Sequence, residues 1–393
     1  MKQVVRNLVF LLVLLTVVSA VAAPLSLPPA STTASIDSLL ERAMTRGLIA
    51  GGVVQIGNRK GVLFQKAYGR VSPVPDARPM TTDTIFDLAS LTKVVATTPS
   101  VLKLAEEGKV SLVDPVRKWF PEFDGKGKDD LLVLNLLTHT SGLDDFSLSP
   151  DAPLKSAIAR AAGQKLHGEI GHRFHYADIN FILLGELVRR ASGQTLDCFA
   201  DRFFYGPLGM SRTGFNPSGD RPSHCAVTIG SDDSLLTGQV QDNLSRELGG
   251  VAGHAGLFST VGDLGIFCRM ILNDGTVGSV RVLEARTVRQ MTAPYFSRGG
   301  EVVRGLGWDI DSPFSAPRGT GFSRSSFGHT GYAGSSLWLD PDADLYVILL
   351  TTRLDYRQKA EFRHLRADLS SLAADLFVKP AALRDLERLF DGE

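Results

Sequence analysis

The spacing of apolar and polar positions changes period along the chain. Between Ser35 and Gly47, "SIDSLLERAMTRG" carries apolar residues at helical spacing and ends on a glycine, which predicts an amphipathic helix stopped at Gly47. "IAGGVVQIGNRKGVLFQKAYG" predicts two strands joined by the turn Gly57-Asn-Arg-Lys-Gly61. From Ser90 the helical period dominates. "SLTKVVATTPSVLKLAEEG" predicts one long helix that ends at Gly108. Pro99 is expected to kink it, because proline lacks an N–H and crowds the carbonyl four residues back. "NFILLGELVRRASG" and "GDLGIFCRMILNDG" predict further helices. The strand period then returns in "SSFGHTG", "GSSLWLD" and "DLYVILLTTR", the last two joined by the turn Asp340–Asp344. A long helix follows in "RQKAEFRHLRADLSSLAADLF", and "ALRDLERLFDG" forms another helical stretch at the end.

Strands at both ends and helices between them predict an α+β fold. The terminal strands join into one antiparallel five-stranded sheet flanked by the first and last helices, with a mostly helical lobe inserted. The sheet lobe is expected over 23–88 and 300–393 and the helical lobe over 89–299. A cleft between two lobes is a natural place for a site.

Composition narrows the function classes. Lys plus Arg and Asp plus Glu both number 42, which leaves no electrostatic case for a nucleic-acid partner. The N-terminus has Lys2 and Arg6, an apolar run from Leu8 to Val18, and Ala20-Val21-Ala22. That is the build of a signal peptide over 1–22 and predicts a periplasmic or secreted protein, held at a membrane only if this segment stays uncleaved. Cys198, Cys225 and Cys268 are too scattered for a metal or redox motif and are expected to be small buried hydrophobes.

Candidate chemistry begins at Ser90-Leu-Thr-Lys93. A serine hydroxyl is a weak nucleophile until something takes its proton. Residues three apart on a helix share a face, so Lys93 reaches Ser90, and a desolvated lysine of lowered pKa accepts that proton. Ser90 also opens its helix, where free N–H groups favour developing negative charge. A second copy, Ser100-Val-Leu-Lys103, lies in the helix body and is expected to be structural. A third partner must reprotonate the leaving group. Tyr176 is the tyrosine followed two residues later by Asn or Asp, here Asp178, and a partly ionised phenol beside a lysine would serve. X-Thr-Gly occurs four times, but only His329-Thr330-Gly331 leads straight into the terminal strands. Gly331 would let substrate approach the strand edge, and the Tyr332 N–H would pair with that of Ser90 as an oxyanion hole. Metal hydrolysis by His172-Arg-Phe-His175 finds no supporting carboxylate pattern, and no metal or cofactor is expected.

The ordered set S-x-x-K, Y-x-D and H-T-G resembles the penicillin-recognising serine hydrolases of the class C β-lactamase type. The resemblance extends through "LLTHTSGL" (136–143), "LGGVAGHAGLFST" (248–260) and "GHTGYAGSSLWLDPD" (328–342), and runs from about Ser35 to the last long helix. It implies the β-lactamase/transpeptidase-like fold, acylation of Ser90, and proton work shared by Lys93 and Tyr176. It also implies substrate binding by Asp178, His329, Thr330, Gly331 and Tyr332. "HTSGL" and "GHAGLFS" look architectural, with no catalysis assigned to His139 or His254. Two departures matter. His329 stands where the β-lactamases carry lysine and would attract a substrate carboxylate only when protonated. Asp178 stands where many relatives have asparagine. It keeps an acceptor for a substrate amide but holds Lys93 protonated, which shifts the base role towards Tyr176. The chain looks most similar to the D-Ala-D-Ala carboxypeptidase branch, acting on small peptides or peptidoglycan. An esterase, a weak β-lactamase and a slowly turning-over penicillin-binding sensor are the alternatives.

Overall fold

The computed structural model describes residues 30–149, 151–298, 302–312 and 314–378. The expected signal peptide and the final stretch "ALRDLERLFDG" lie outside these described residues. Among them, no helix is long and apolar enough to cross a membrane.

Helix α1 (Ala30–Thr45) leads through Gly47, at a φ of +68°, into strands β1 (Ile49–Gly57) and β2 (Val62–Gly69). The C-terminal part supplies β3 (Phe296–Arg298), β4 (Val302–Arg304), β5 (Asp309–Asp311), β6 (Phe327–Thr330), β7 (Ser336–Asp340) and β8 (Leu345–Arg353). They form one antiparallel sheet of eight strands in the order β3-β4-β5-β6-β7-β8-β1-β2. The five expected strands make its body. The three added strands are three residues each, too short to show a period of two.

Residue alternation along β1 and β8 gives the sheet two apolar faces. Val54, Ile56, Val347 and Leu349 meet α1 and the last helix, α6 (Lys359–Phe377), through Ile36, Leu40, Phe362, Leu365 and Leu369. Val53, Tyr346, Ile348 and Leu350 join the larger core of the helical lobe. That lobe contains α2 (Thr98–Glu106), α3 (Pro153–Gly163), α4 (Ile179–Ser192) and α5 (Val261–Leu272). Each fully buried Leu or Ile in these cores contributes roughly 1.5–3 kcal/mol.

Pro99 falls where the expected long helix changes geometry. Ahead of α2 the chain makes a 3-10 turn, Ala89–Leu91, and one π-helical turn, Lys93–Thr97, which leaves Pro99 in the first turn of α2. A proline is tolerated there because its missing N–H has less to pair with. The carbonyl of Val95, four residues before Pro99, accepts the hydroxyl of Tyr205 at 3.3 Å instead.

Candidate active site

Ser90 sits in the 3-10 turn at the junction of sheet and helical lobe. The residue before it, Ala89, holds a φ of +47°, a left-handed conformation that costs an L-residue about 1–2 kcal/mol. Three groups hold this turn. Asp87 accepts the Ala89 N–H at 2.8 Å and the Gln241 N–H at 2.6 Å. Thr92 donates its hydroxyl to the Ala89 carbonyl at 2.7 Å. Leu257 accepts the Leu88 N–H at 2.9 Å.

Lys93 is fully buried beneath Ser90. Its ammonium donates to Ser90 Oγ at 3.0 Å, Asp178 Oδ1 at 2.7 Å and the His254 carbonyl at 3.1 Å. Burial alone would pull its pKa down. The charge of Asp178, with Tyr176 beside it, outweighs burial and holds Lys93 above the ordinary lysine value. This is the effect expected of Asp178 in place of asparagine: an ion pair 85 residues apart in sequence keeps Lys93 charged, so the lowered pKa that burial alone would give is not reached.

Tyr176 is half-buried, and its ring stacks on His139 at 4.4 Å between centroids. Burial pushes its hydroxyl above the ordinary tyrosine value. The Lys93 charge and contacts with Lys93 and Ser90 oppose this, and the Asp178 charge adds to it. The expected partial phenolate is thus corrected to a neutral phenol, because burial, helped by the Asp178 charge, outweighs the Lys93 charge. The "HTSGL" stretch is architectural, as expected. His139 stacks under Tyr176, and its Nδ1 lies 3.3 Å from the Ala177 N–H and from the Asn180 amide.

Gly331 brings β6 against this turn. A Cβ there would lie 2.4 Å from the Leu88 carbonyl oxygen and 2.0 Å from Ser335 Oγ. Ser335 itself donates to the Leu88 carbonyl at 2.9 Å. A cavity of about 310 Å³ opens above, lined among others by Ser90, Tyr176, His329, Thr330, Gly331 and Tyr332. Asp178 is not among its lining residues, and its Oδ1 bonds Lys93. His329 is buried, with Nδ1 2.8 Å from the Thr330 carbonyl oxygen. Burial, then the Arg304 and Lys93 charges, hold its pKa well below the ordinary histidine range. His329 is expected to attract a carboxylate only when protonated, and this burial disfavours that state.

The cavity's positive charge comes instead from residues the sequence reading missed. Lys359, Arg363 and Arg366, spaced i, i+4 and i+7 on α6, line it with Arg353. Among the described residues, none of the three on α6 has an ion-pair partner. Arg366 donates to the Gly331 and Ser335 carbonyls at 2.7 Å each, while its buried Nε has no partner. Burial, with Arg353 nearby, pulls its pKa down to about 9. The sequence signal available was the basic spacing within an otherwise amphipathic helix.

Two other features are separate from this cavity. Ser100 donates to the Ala96 carbonyl and Lys103 bonds Glu106 and the Val282 carbonyl, so the second S-x-x-K is structural. A larger cavity of about 740 Å³ lies between α3, α4 and residues 247–253 and does not include Ser90. Asp178, Asp242 and His254 place one potential metal-ligating atom each within 4.8 Å of one another, and Lys93 supplies a positive charge at Asp178. Cys225 and Cys268 are buried as expected, whereas Cys198 is exposed.

The family model "Beta-lactamase" matches residues 36–370. The chain belongs to the β-lactamase family. It is 31% identical over 334 residues to a protein of Escherichia coli (strain K12) named "Putative D-alanyl-D-alanine carboxypeptidase", covering 74% of this chain and 76% of that relative. Among solved structures it is similar to a penicillin-binding protein homologue from Caulobacter crescentus, with a TM-score of 0.71 and 20% identity over 88% of this chain and 98% of the other. It is also similar to EstCE1, a hydrolase with promiscuous acyltransferase activity, with a TM-score of 0.72 and 21% identity over 86% and 98%. These two structures share the fold. The expected β-lactamase-like α+β architecture holds, and the protein is a hydrolase of this family.

Proposed function

We propose that the protein is a serine D-Ala-D-Ala carboxypeptidase-like acyl hydrolase that works outside the cytoplasm on peptidoglycan-type peptides. The observation that carries this reading is Ser90 Oγ, 3.0 Å from a buried lysine ammonium, at the floor of a cavity lined on one side by three cations that have no ion-pair partner among the described residues. Ser90 attacks the carbonyl of the penultimate residue and forms an acyl-enzyme, which water then hydrolyses. The N–H groups of Ser90 and Tyr332 receive the oxyanion. Tyr176 reprotonates the leaving amine. Lys359, Arg363 and Arg366 bind the terminal carboxylate, as guanidinium groups do best. The name carried by the E. coli relative supports this substrate class.

An esterase is the second reading. Phe314 and Tyr332, 48% and 52% exposed at the cavity, offer apolar surface to an acyl or alcohol group. A free carboxylate on the substrate separates the two. The test is D-alanine release from an N-acylated D-Ala-D-Ala peptide and from its C-terminal amide, with intact mass recorded after exposure to a penicillin. The carboxypeptidase reading expects release from the free acid, poor release from the amide, and a penicillin adduct absent from Ser90→Ala. Hydrolysis of short-chain esters alone, with neither peptide cut, would give the esterase reading instead.

A further inference from the structure

The resting site poses a chemical problem. An ammonium has three N–H groups and no lone pair, and those of Lys93 are directed at Ser90, Asp178 and the His254 carbonyl. Charged in this way, the lysine cannot take the serine proton unless it gives one up. Of its three acceptors, a hydroxyl and a peptide carbonyl do not hold a proton at neutral pH, but a carboxylate can. That carboxylate bonds the lysine at 2.7 Å, the shortest of the three contacts. Asp178 is not among the residues that line the cavity.

We propose that Asp178 is the final acceptor of the serine proton. As Ser90 Oγ bonds to the substrate carbonyl carbon, its proton moves to Lys93 Nζ and a different Lys93 proton moves to Asp178 Oδ1. The Oγ–H electron pair forms the new Oγ–C bond, and the carbonyl π pair moves onto the oxygen. Lysine stays an ammonium and Asp178 becomes a carboxylic acid. When the intermediate collapses, the C–N pair leaves with the amine, which takes a proton from Tyr176. The Tyr176 proton is restored by Lys93, and that of Lys93 by Asp178. No net charge is created inside the site, so no charge must be carried into a buried region. An asparagine at 178 could not take part.

Three groups from other parts of the chain face Asp178. Lys93 stands on one side. Asp145, which accepts the Ile179 N–H at 2.9 Å, faces it from the loop before α3, and burial, then the charge of Asp178, raise the Asp145 pKa. Asp242 lies behind, tied to the His254 ring at 2.8 Å, with Tyr176 two residues away in the chain.

This inference rests on Ser90 as the nucleophile, and the experiment separates the two claims. The rate of Ser90 modification by an alkyl fluorophosphonate is followed by intact mass from pH 5 to 10 for the parent, Asp178→Asn and Asp178→Glu. In Asp178→Asn only an uncharged lysine can accept the proton. Its acid limb should therefore move up by at least about one pH unit, with at least about a tenfold rate loss at pH 6 and recovery at high pH. Asp178→Glu keeps a carboxylate and should keep the parent's limb. Superimposable limbs in parent and Asp178→Asn, or a rate lowered equally at every pH, would overturn the inference while leaving Ser90 intact. If Asp178→Asn is inert throughout, a parent-like limb in Asp178→Glu supports it and a shifted or absent one rejects it. No modification of the parent, or modification away from Ser90, rejects the nucleophile reading itself.

Discussion

At the scale of single residues, neighbours decide what each side chain can do. His329 occupies the position from which the sequence leads one to expect a titrating cation, yet burial beside Arg304 and Lys93 keeps it neutral. The permanent charges of α6 take over the recognition of an anion. It follows that KM for a peptide with a free carboxylate should stay flat between pH 6 and 8, where a protonating histidine would make it rise. Arg363→Gln should raise that KM about tenfold and leave kcat nearly unchanged, since one charge-assisted hydrogen bond contributes about 1.5–3 kcal/mol. Steady-state kinetics on the free acid and its amide check both statements. An equal KM rise for the amide would remove the carboxylate from the account.

At the scale of elements, the site depends on how closely one strand edge meets one helical turn. β6 reaches the Ser90 turn because residue 331 has no Cβ, and Ser335 and Arg366 fix the backbone on either side of it. Gly331→Ala would push the strand off the Leu88 carbonyl and take the Tyr332 N–H away from the oxyanion position. The expected outcome is a loss of at least about a hundredfold in acylation rate, the scale of one lost oxyanion donor, with the protein still folded. Rapid labelling of a folded Gly331→Ala protein would show that the Tyr332 N–H is not needed. The turn itself is a compound of 3-10, π and α geometry, and the π segment leaves Pro99 in the first turn of α2.

At the scale of the whole molecule, the helical lobe is tied to the nucleophile's turn by buried polar groups, and this makes stability depend on pH. Asp87 joins the two-residue strand Phe86–Asp87, the Ala89 turn and the 241 loop. Burial pushes its carboxyl up to about 6, opposed by the N–H groups of Gln241 and Ala89. A carboxyl raised in the folded state stabilises most below its unfolded pKa of about 4, and that contribution is lost as pH rises through about 6. The melting temperature of the parent relative to Asp87→Asn should therefore fall between about pH 4 and 6 and then level off. Thermal melts across this range test it; a constant difference would show that Asp87 titrates normally.

The sequence by itself determined the elements whose period extends over several turns or residues: α1, β1 and β2, the three terminal strands of the body, and α6. It also determined the Ser90–Lys93 spacing, because three residues on a helical turn fix a shared face whatever surrounds them. Local pattern could not reveal the added strands β3 to β5, nor a π turn that absorbs a proline. The charged lysine is foreseeable from Asp178, but the neutral Tyr176 and His329 were decided only by tertiary structure. Lys93 meets Asp178 across 85 residues and the His254 carbonyl across 161, and both contacts arise from packing. The cations of α6 reach the cavity because that helix packs on β1 and β8 with Arg366 bonded to the Gly331 and Ser335 carbonyls. A pKa reports burial and neighbouring charge, and both come into being when distant segments close around the group.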